Sequence, residues 1–459
     1  MPPSFYLNME NETRMNAKTI KVKHLKPEQY LVLGFAALIS LGTLLLNLPV
    51  ASASGRSMGF INALFEATSS VCVTGLTVVN TARDLTLFGQ IVVLVLLQAG
   101  GLGFMTMATM IFLLLGKRIT LRERLVMQQA LNQFSIQGVV RMSRNILIFT
   151  FATELIGAVL LSFQFIPDFG LSKGIYFSVF HAISAFCNAG FDLMGDSFVR
   201  YTENYIVNLT VMALIVIGGI GFTVINDIRR QRRASRWSLH TKIVVFITGV
   251  LILAGFIFYF AVEYNHALAP YNASGKVLGA LFQSITPRTA GFNTIPTDQL
   301  QPASKFVTIL MMFVGASPAS TGGGVKTVTA FVLLLAGISV MRGRDDVEIF
   351  RKKVPQDIIF RAIGIILVSF SVLFIITTAL CLIEPLPFVD LLFETGSALG
   401  TVGLATINTG GLTGASKLLL VFAMFMGRVG PLTLTLAFAR RRTITHTGIH
   451  YPEGRVLVG

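Results

Sequence analysis

Phe65-Glu66-Ala67-Thr68-Ser69-Ser70-Val71-Cys72-Val73-Thr74-Gly75-Leu76 is the clearest copy of a stretch that recurs three more times. The second copy runs from Phe180 to Phe191 and includes Cys187-Asn188-Ala189-Gly190-Phe191. The third ends Arg288-Thr289-Ala290-Gly291-Phe292, and the fourth, from Phe393 to Leu404, ends Gly400-Thr401-Val402-Gly403-Leu404. The four glycines are 115, 101 and 112 residues apart, and an apolar residue follows each. Each closes an apolar run of about 10–14 residues, too short to span a bilayer and suited to a re-entrant segment. Four equivalent half-helices ending in glycine turns predict a pore with four quasi-equivalent walls.

Composition agrees with a multi-span membrane protein: of 459 residues, 53% are hydrophobic and 13% charged. The first 29 residues are polar and lack an apolar signal core, so no cleavage is expected there. Cys72, Cys187 and Cys381 form no CxxC pair, and their odd count gives no disulfide framework or zinc site. Cys72 and Cys187 stand at matching positions, three residues before a repeat glycine, and read as small buried packing residues.

Apolar runs at about 30–50, 88–115, 146–166, 205–225, 243–262, 306–340, 362–383 and 418–438 predict eight spans. The repeated motifs lie between spans one and two, three and four, five and six, and seven and eight. The expected organisation is a tail at 1–29, repeats at 30–117, 142–229, 242–342 and 358–440, and a tail at 441–459. Prolines in Leu48-Pro49, Ile166-Pro167-Asp168 and Glu384-Pro385-Leu386-Pro387 are expected to end helices.

Orientation follows from Lys and Arg. Of 37, the N-terminal tail, the stretch from Arg440 onward and the segments 116–145, 229–242 and 342–361 hold 27, and the opposite side holds eight. Lys326 and Arg428 fall inside apolar spans. This split predicts a multi-pass plasma-membrane protein with both termini cytoplasmic. It also explains the net charge of +15 and Arg229-Arg230-Gln231-Arg232-Arg233 as topology signals rather than nucleic-acid binding. Inverted-repeat carriers alternate direction. Here every repeat starts and ends on one side, which suits four parallel units around an axis.

Glycine turns at membrane depth have a chemical use. Backbone there must be buried or line a watery path, and its carbonyls can replace the hydration shell of a cation. Glycine reaches the φ values that aim such carbonyls, without an obstructing side chain. The inward-pointing C-terminus of each half-helix adds partial negative charge. The alternative for any single copy is a tight turn or close helix packing.

The residues 306–340 as one helix would be about 52 Å long, against a hydrocarbon core of about 30 Å. The stretch Gly315-Ala316-Ser317-Pro318-Ala319-Ser320-Thr321-Gly322-Gly323-Gly324-Val325-Lys326-Thr327 marks the break. It lacks phosphate-loop spacing and reads either as a flexible kink or as an intramembrane gating loop. Arg428 at mid-span implies a cavity or a partner, with a structural salt bridge to Glu154 as the alternative. Asp227 reads as a solvated cap. Glu66, His181 and Glu394 occupy matching places and are candidates to orient the pore helices.

These motifs resemble the Trk/Ktr/HKT superfamily of potassium transporters over about residues 30–440. The resemblance rests on the four turns and on Gly100-Gly101-Leu102-Gly103-Phe104, Gly218-Gly219-Ile220-Gly221-Phe222 and Gly427-Arg428-Val429-Gly430-Pro431 in second spans. It implies an all-α membrane protein with four parallel span–pore-helix–span repeats, eight transmembrane helices and four re-entrant pore helices around a pseudo-fourfold pore. It implies gated K⁺ translocation rather than enzyme chemistry. K⁺ would be held by backbone carbonyls of Val73, Thr74, Gly75, Asn188, Ala189, Gly190, Thr289, Ala290, Gly291, Thr401, Val402 and Gly403. One filter glycine per repeat implies a shorter filter and looser discrimination than tetrameric potassium channels have. Glycine at all four positions implies a preference for K⁺, since a serine at the first position accompanies Na⁺ preference in some plant relatives.

The resemblance further implies that residues 315–326 form the gate and that Arg428 lines the pore beside it. It implies a homodimer in membrane lipid, docked on a cytosolic octameric ring of RCK-type nucleotide-binding subunits. The regulatory nucleotide, ATP or ADP, would sit on that partner, and this chain would need no cofactor. The basic segments 116–145 and 342–361 are candidate docking sites. Val456-Leu457-Val458-Gly459 is either a disordered end or, as the family suggests, a dimer contact. The alternative function, from a different class, is an ion-coupled secondary carrier for K⁺ or Na⁺.

Overall fold

A computed structural model describes residues 27–103, 106, 107, 125, 128, 139–344 and 346–438. Most of segment 116–145, the tails apart from residues 27–29, Phe104 and Asp345 lie outside the described residues. Among the described residues, the regular elements are helical apart from one short hairpin. In order come α1 (Pro27–Leu46), α2 (Phe60–Cys72), α3 (Leu87–Leu102), α4 (Val139–Phe169), α5 (Leu171–Cys187), α6 (Tyr205–Ile220) and α7 (Phe222–Arg230). Then follow α8 (Leu239–Glu263), α9 (Ala273–Ile285), α10 (Pro302–Phe313) and α11 (Thr327–Met341). The hairpin of β1 (Glu348–Ile349) and β2 (Lys352–Lys353) leads to α12 (Gln356–Ile383), α13 (Phe388–Gly400), α14 (Gly414–Val429) and α15 (Pro431–Phe438).

Among the described residues, α1, α4, α8 and α12 are each long and apolar enough to cross a membrane. They are the first spans expected of the four units. The second spans depart from the expectation that all but the sixth are continuous. α3 stops at Gly103, α6 meets α7 at Gly221, and α14 meets α15 at Gly430, with φ of 78°, 99° and 90°. The α6–α7 bend is 93°. A left-handed glycine inside an apolar run breaks the hydrogen-bond ladder without altering hydropathy. The third unit replaces this single glycine by the whole loop between α10 and α11. Pro167 is a second difference: α4 runs through it to Phe169 and is followed by Gly170 at φ 81°.

The short helices α2, α5, α9 and α13 form the centre. Every residue of α2 from Phe65 to Cys72 is buried, and Phe180, Phe282 and Phe393 are sealed in the same way. The helices that follow three of them, α3, α6 and α14, start with side-chain caps. Thr86 accepts from Gly89 N–H (3.3 Å), Asn204 from Val207 N–H (3.0 Å) and Thr413 from Ser416 N–H (3.4 Å). Asp227 is more than a solvated cap: its carboxylate accepts from Thr241 Oγ1 (2.5 Å) and Ser238 N–H (2.9 Å), fastening α7 to the start of α8.

Candidate ion pathway

The chain just past each central helix turns through an unusual backbone. Val73, Asn188 and Thr401 have φ of 59°, 59° and 52°. The N–H two residues before the repeat glycine's successor closes the helix in the same way each time. Thr74 N–H donates to Ser69 O, Ala189 N–H to Ser184 O and Val402 N–H to Ser397 O, all at 2.8 Å. Val73, Asn188 and Thr401 N–H donate to Ser70 O, Ala185 O and Ala398 O at 3.2, 3.1 and 3.1 Å. This is the Schellman pattern, which normally places glycine at the left-handed position. A β-branched Val or Thr there costs on the order of 1–3 kcal/mol and persists only where surrounding structure dictates it.

A hydroxyl one turn earlier holds each turn. Ser69 Oγ accepts from Gly75 N–H (3.1 Å) and Ser397 Oγ from Gly403 N–H (3.0 Å). Ser184 Oγ donates to Phe191 O (2.8 Å), and Thr286 Oγ1 donates to Phe292 O. The hydroxyl stands six residues before the glycine in units one, two and four, and five before it in unit three. The third turn is therefore one residue shorter. Thr289 still has a left-handed φ of 71°, but Ala290 N–H bonds back only four residues, to Thr286 O (3.0 Å).

The four glycines close a ring. A Cβ on Gly75 would strike Ala189 O; on Gly190, Ala290 O (2.9 Å); on Gly291, Val402 O; and on Gly403, Thr74 O. The Cα of the next glycine lies 3.0–3.2 Å from each such Cβ, as for Gly190 beyond Gly75 (3.1 Å) and Gly75 beyond Gly403 (3.0 Å). Any side chain at these positions would enter the space facing a neighbouring carbonyl. On the side of the residues that follow the glycines, a cavity of about 420 Å³ opens, lined by all four glycines with Thr77, Asp192, Asp196, Asn293 and Asp298. Its carboxylates favour cations over anions in that space.

The three residues that match across the central helices fasten the outgoing chain. Glu66 Oε1 accepts from Val78 N–H (2.7 Å) and Val79 N–H (3.1 Å). His181 Nε2 accepts from Leu193 N–H (3.2 Å), and Glu394 Oε1 accepts from Thr409 Oγ1 (2.5 Å). The one-residue shortening puts Gln283 in the equivalent place of unit three, a residue that reading by fixed spacing from the glycine passes over.

The loop between α10 and α11 lies against the other side of the ring. A Cβ on Gly322 would strike Thr289, and Gly323 N–H donates to Thr401 Oγ1 (3.1 Å). Ser317 N–H donates to Gly219 O (3.1 Å), Thr321 N–H to Gly218 O (3.3 Å) and Phe222 N–H to Ala319 O (2.8 Å). The loop is thus tied to the α6–α7 bend, and Pro318 O sits where a Cβ on Gly221 would be. Gly324 N–H donates to Gly427 O (3.1 Å) in α14, and Gly315 N–H donates to Val325 O (2.8 Å) to close the loop's base. Ala316 is buried beside it. Ser320 Oγ donates to Ser317 O (2.6 Å).

Two cations serve this loop. Lys326 Nζ donates to Gly322 O (2.7 Å), folding back on the loop. Arg428 donates through one guanidinium nitrogen to Thr321 O and through the other to Gly100 O and Gly101 O (3.1 Å). The expected alternative, a salt bridge to Glu154, is not made: Glu154 instead accepts from Gln98 Nε2 at 3.0 Å. Arg428 therefore joins the loop to the end of α3, where last-turn helix carbonyls are ready acceptors.

Comparison with known proteins reaches the same architecture. Residues 9–443 match TrkH, described as cation transport protein. The chain belongs to the TrkH cation transport protein family. It is 41% identical to the Ktr system potassium uptake protein B of Bacillus subtilis, over 97% of this chain and all of that one. It is 38% identical to the potassium/sodium uptake protein NtpJ of Enterococcus hirae, over 95% and 98% of the two chains. The crystal structure of the potassium transporter TrkH from Vibrio parahaemolyticus superposes with a TM-score of 0.71, covering 95% of this chain and 89% of that one at 19% identity. At that identity the superposition speaks for the fold of the family.

Proposed function

We propose that this chain is a gated K⁺ pathway across the plasma membrane, with both termini cytoplasmic. The single observation that carries the reading is the closed ring of Gly75, Gly190, Gly291 and Gly403, each facing a carbonyl of the next unit. Such a ring presents backbone oxygen to a dehydrated cation. In this reading each broken second helix completes a span with its continuation, giving eight spans and four pore helices around one axis. The potassium named for both bacterial relatives supports K⁺ as the ion.

The loop 315–326 is the gate in this reading, and Arg428 is its latch. A homodimer docks on a cytosolic RCK-type ring that carries ATP or ADP, and this chain needs no cofactor of its own. The hairpin β1–β2 supports a mechanical route from that ring. Val347 and Val354 flank it and pack with Val332 of α11 and Ala362 of α12, so a force on the hairpin reaches α11, whose first turn follows Lys326. Turning a mostly closed gate mostly open needs about 5.5 kcal/mol of differential binding. An extended protein contact supplies that, whereas one surface ion pair, at about 0–1 kcal/mol, does not.

Cation flux into liposomes holding the purified chain, with and without its cytosolic partner, is the test. Uncoupled K⁺ flux down either gradient, raised by the partner, is expected. A fixed ion stoichiometry would instead establish a secondary carrier.

A further inference from the structure

Cys187 is the last residue of α5 and directly precedes Asn188, the left-handed residue of the second turn. Its thiol is fully buried and is engaged by two polar side chains that the pathway reading leaves without a role. Cys187 Sγ donates to Gln98 Oε1 (3.5 Å) and stands 3.9 Å from Glu154 Oε1. Gln98 Nε2 in turn donates to both Glu154 oxygens, at 3.0 and 3.3 Å. Glu154 and Gln98 are 4% and 9% exposed, so neither has water to fall back on. They come from different units, Gln98 from α3 and Glu154 from α4.

The same three residues reach the gate. A Cβ on Gly101 would lie 2.8 Å from Cys187 Sγ, so the α3 terminus rests directly on the thiol. The carbonyls of Gly100 and Gly101 are the ones that accept from Arg428, whose other arm holds Thr321. On the far side, Phe186 O accepts from Thr321 Oγ1 (3.2 Å). The end of α5 is therefore clamped between Glu154–Gln98 behind and the loop in front. The equivalent place in unit four is Gly400, which has no side chain to hold.

We infer that Glu154 is a positioning residue for the second quarter of the filter, acting through Gln98 and Cys187 rather than touching the ion. The inference rests on the filter reading and adds a specificity-determining residue to it. A buried hydrogen-bonded pair holds geometry only while every member is satisfied. Removing the carboxyl leaves the Gln98 amide donor buried and free, and the α3–α5 contact loosens. Replacing the acid by an amide of the same shape keeps an acceptor oxygen within reach of that donor.

The experiment compares Glu154→Ala, Glu154→Gln and Gly190→Ser, each as the full chain purified to a monodisperse peak and placed in liposomes. The readouts are the K⁺ concentration at half-maximal flux, the maximal flux and the K⁺/Na⁺ flux ratio. Glu154→Ala is expected to lose about tenfold in the K⁺/Na⁺ ratio, about the size of one lost buried hydrogen bond. Its half-saturating K⁺ should rise more than its maximal flux falls. Glu154→Gln is expected to stay within about twofold of the natural chain, a rescue that a purely steric role for Glu154 would share with Leu. Glu154→Leu is therefore included and is expected to behave like the alanine variant. Unchanged selectivity in folded Glu154→Ala, or full recovery in Glu154→Leu, overturns the inference. If Gly190→Ser also leaves selectivity unchanged, the filter reading itself fails; if Gly190→Ser alone alters it, only the role of Glu154 does.

Discussion

Replacing Arg428 by Gln should raise the flux carried by this chain alone while leaving the half-saturating K⁺ concentration almost unchanged. The guanidinium spans two elements: one nitrogen bonds Thr321 O in the loop, the other Gly100 O and Gly101 O at the end of α3. Gln is shorter and neutral and cannot reach both. Losing one charge-assisted bond between loop and wall removes about 1.5–3 kcal/mol from the closed arrangement. That corresponds to an increase of about 10- to 150-fold in the open-to-closed ratio while the closed form dominates. Removing a fixed positive charge beside a cation path acts in the same direction. The glycine ring is untouched, so affinity should hold. Arg428→Lys keeps the charge without the fork and should fall between the two. The assay is ⁸⁶Rb⁺ or K⁺ uptake into liposomes without the cytosolic partner, fitted for maximal rate and half-saturation separately. Unchanged maximal flux from well-folded Arg428→Gln, or a shift in half-saturation alone, would refute the latch.

Three further outcomes follow. Gly75→Ser and Gly291→Ser place a side chain against Ala189 O and Val402 O respectively; both should raise the KM for K⁺ and weaken rejection of Na⁺ with membrane insertion kept, as read from uptake kinetics in a K⁺-transport-deficient strain. Deleting Ser317–Gly323 should make K⁺ flux largely independent of the partner while the K⁺ preference stays; Gly315 N–H already bonds Val325 O at 2.8 Å, so the cut ends lie close enough to rejoin, and equal low flux in deleted and natural protein would mean the loop is not the gate. Glu384, between α12 and α13, accepts from Ser416 Oγ (2.7 Å) and Thr413 N–H (2.8 Å), and the Ser416 bond foremost holds its carboxyl below the ordinary range. A depressed carboxyl contributes stability above its unfolded pKa and loses it as pH falls through the folded one, so the thermal midpoint in detergent should drop on acidification below about pH 4.5 by less in Glu384→Gln than in the natural chain.

The sequence alone determined the repeated turn, the alternation of long and short apolar runs and the place of the interrupted sixth span, because each is a matter of hydropathy and glycine position along the chain. It also singled out Arg428, since a charge at membrane depth stands out whatever its partner. Tertiary structure decided the rest. Val73 and Thr401 take a left-handed backbone that local propensity opposes, and only their packing and the Schellman bonds impose it. Gly103, Gly221 and Gly430 break apolar helices without changing hydropathy, so the bends were invisible in composition. The third turn lost one residue, which moved Gln283 off the fixed spacing that revealed Glu66, His181 and Glu394. Arg428 found carbonyl oxygens in the loop and α3 rather than the carboxylate of Glu154. A carbonyl acceptor has no signature in the side-chain sequence: it becomes available where a helix ends or a loop leaves its backbone open, and the fold decides which of these lie within an arginine's reach.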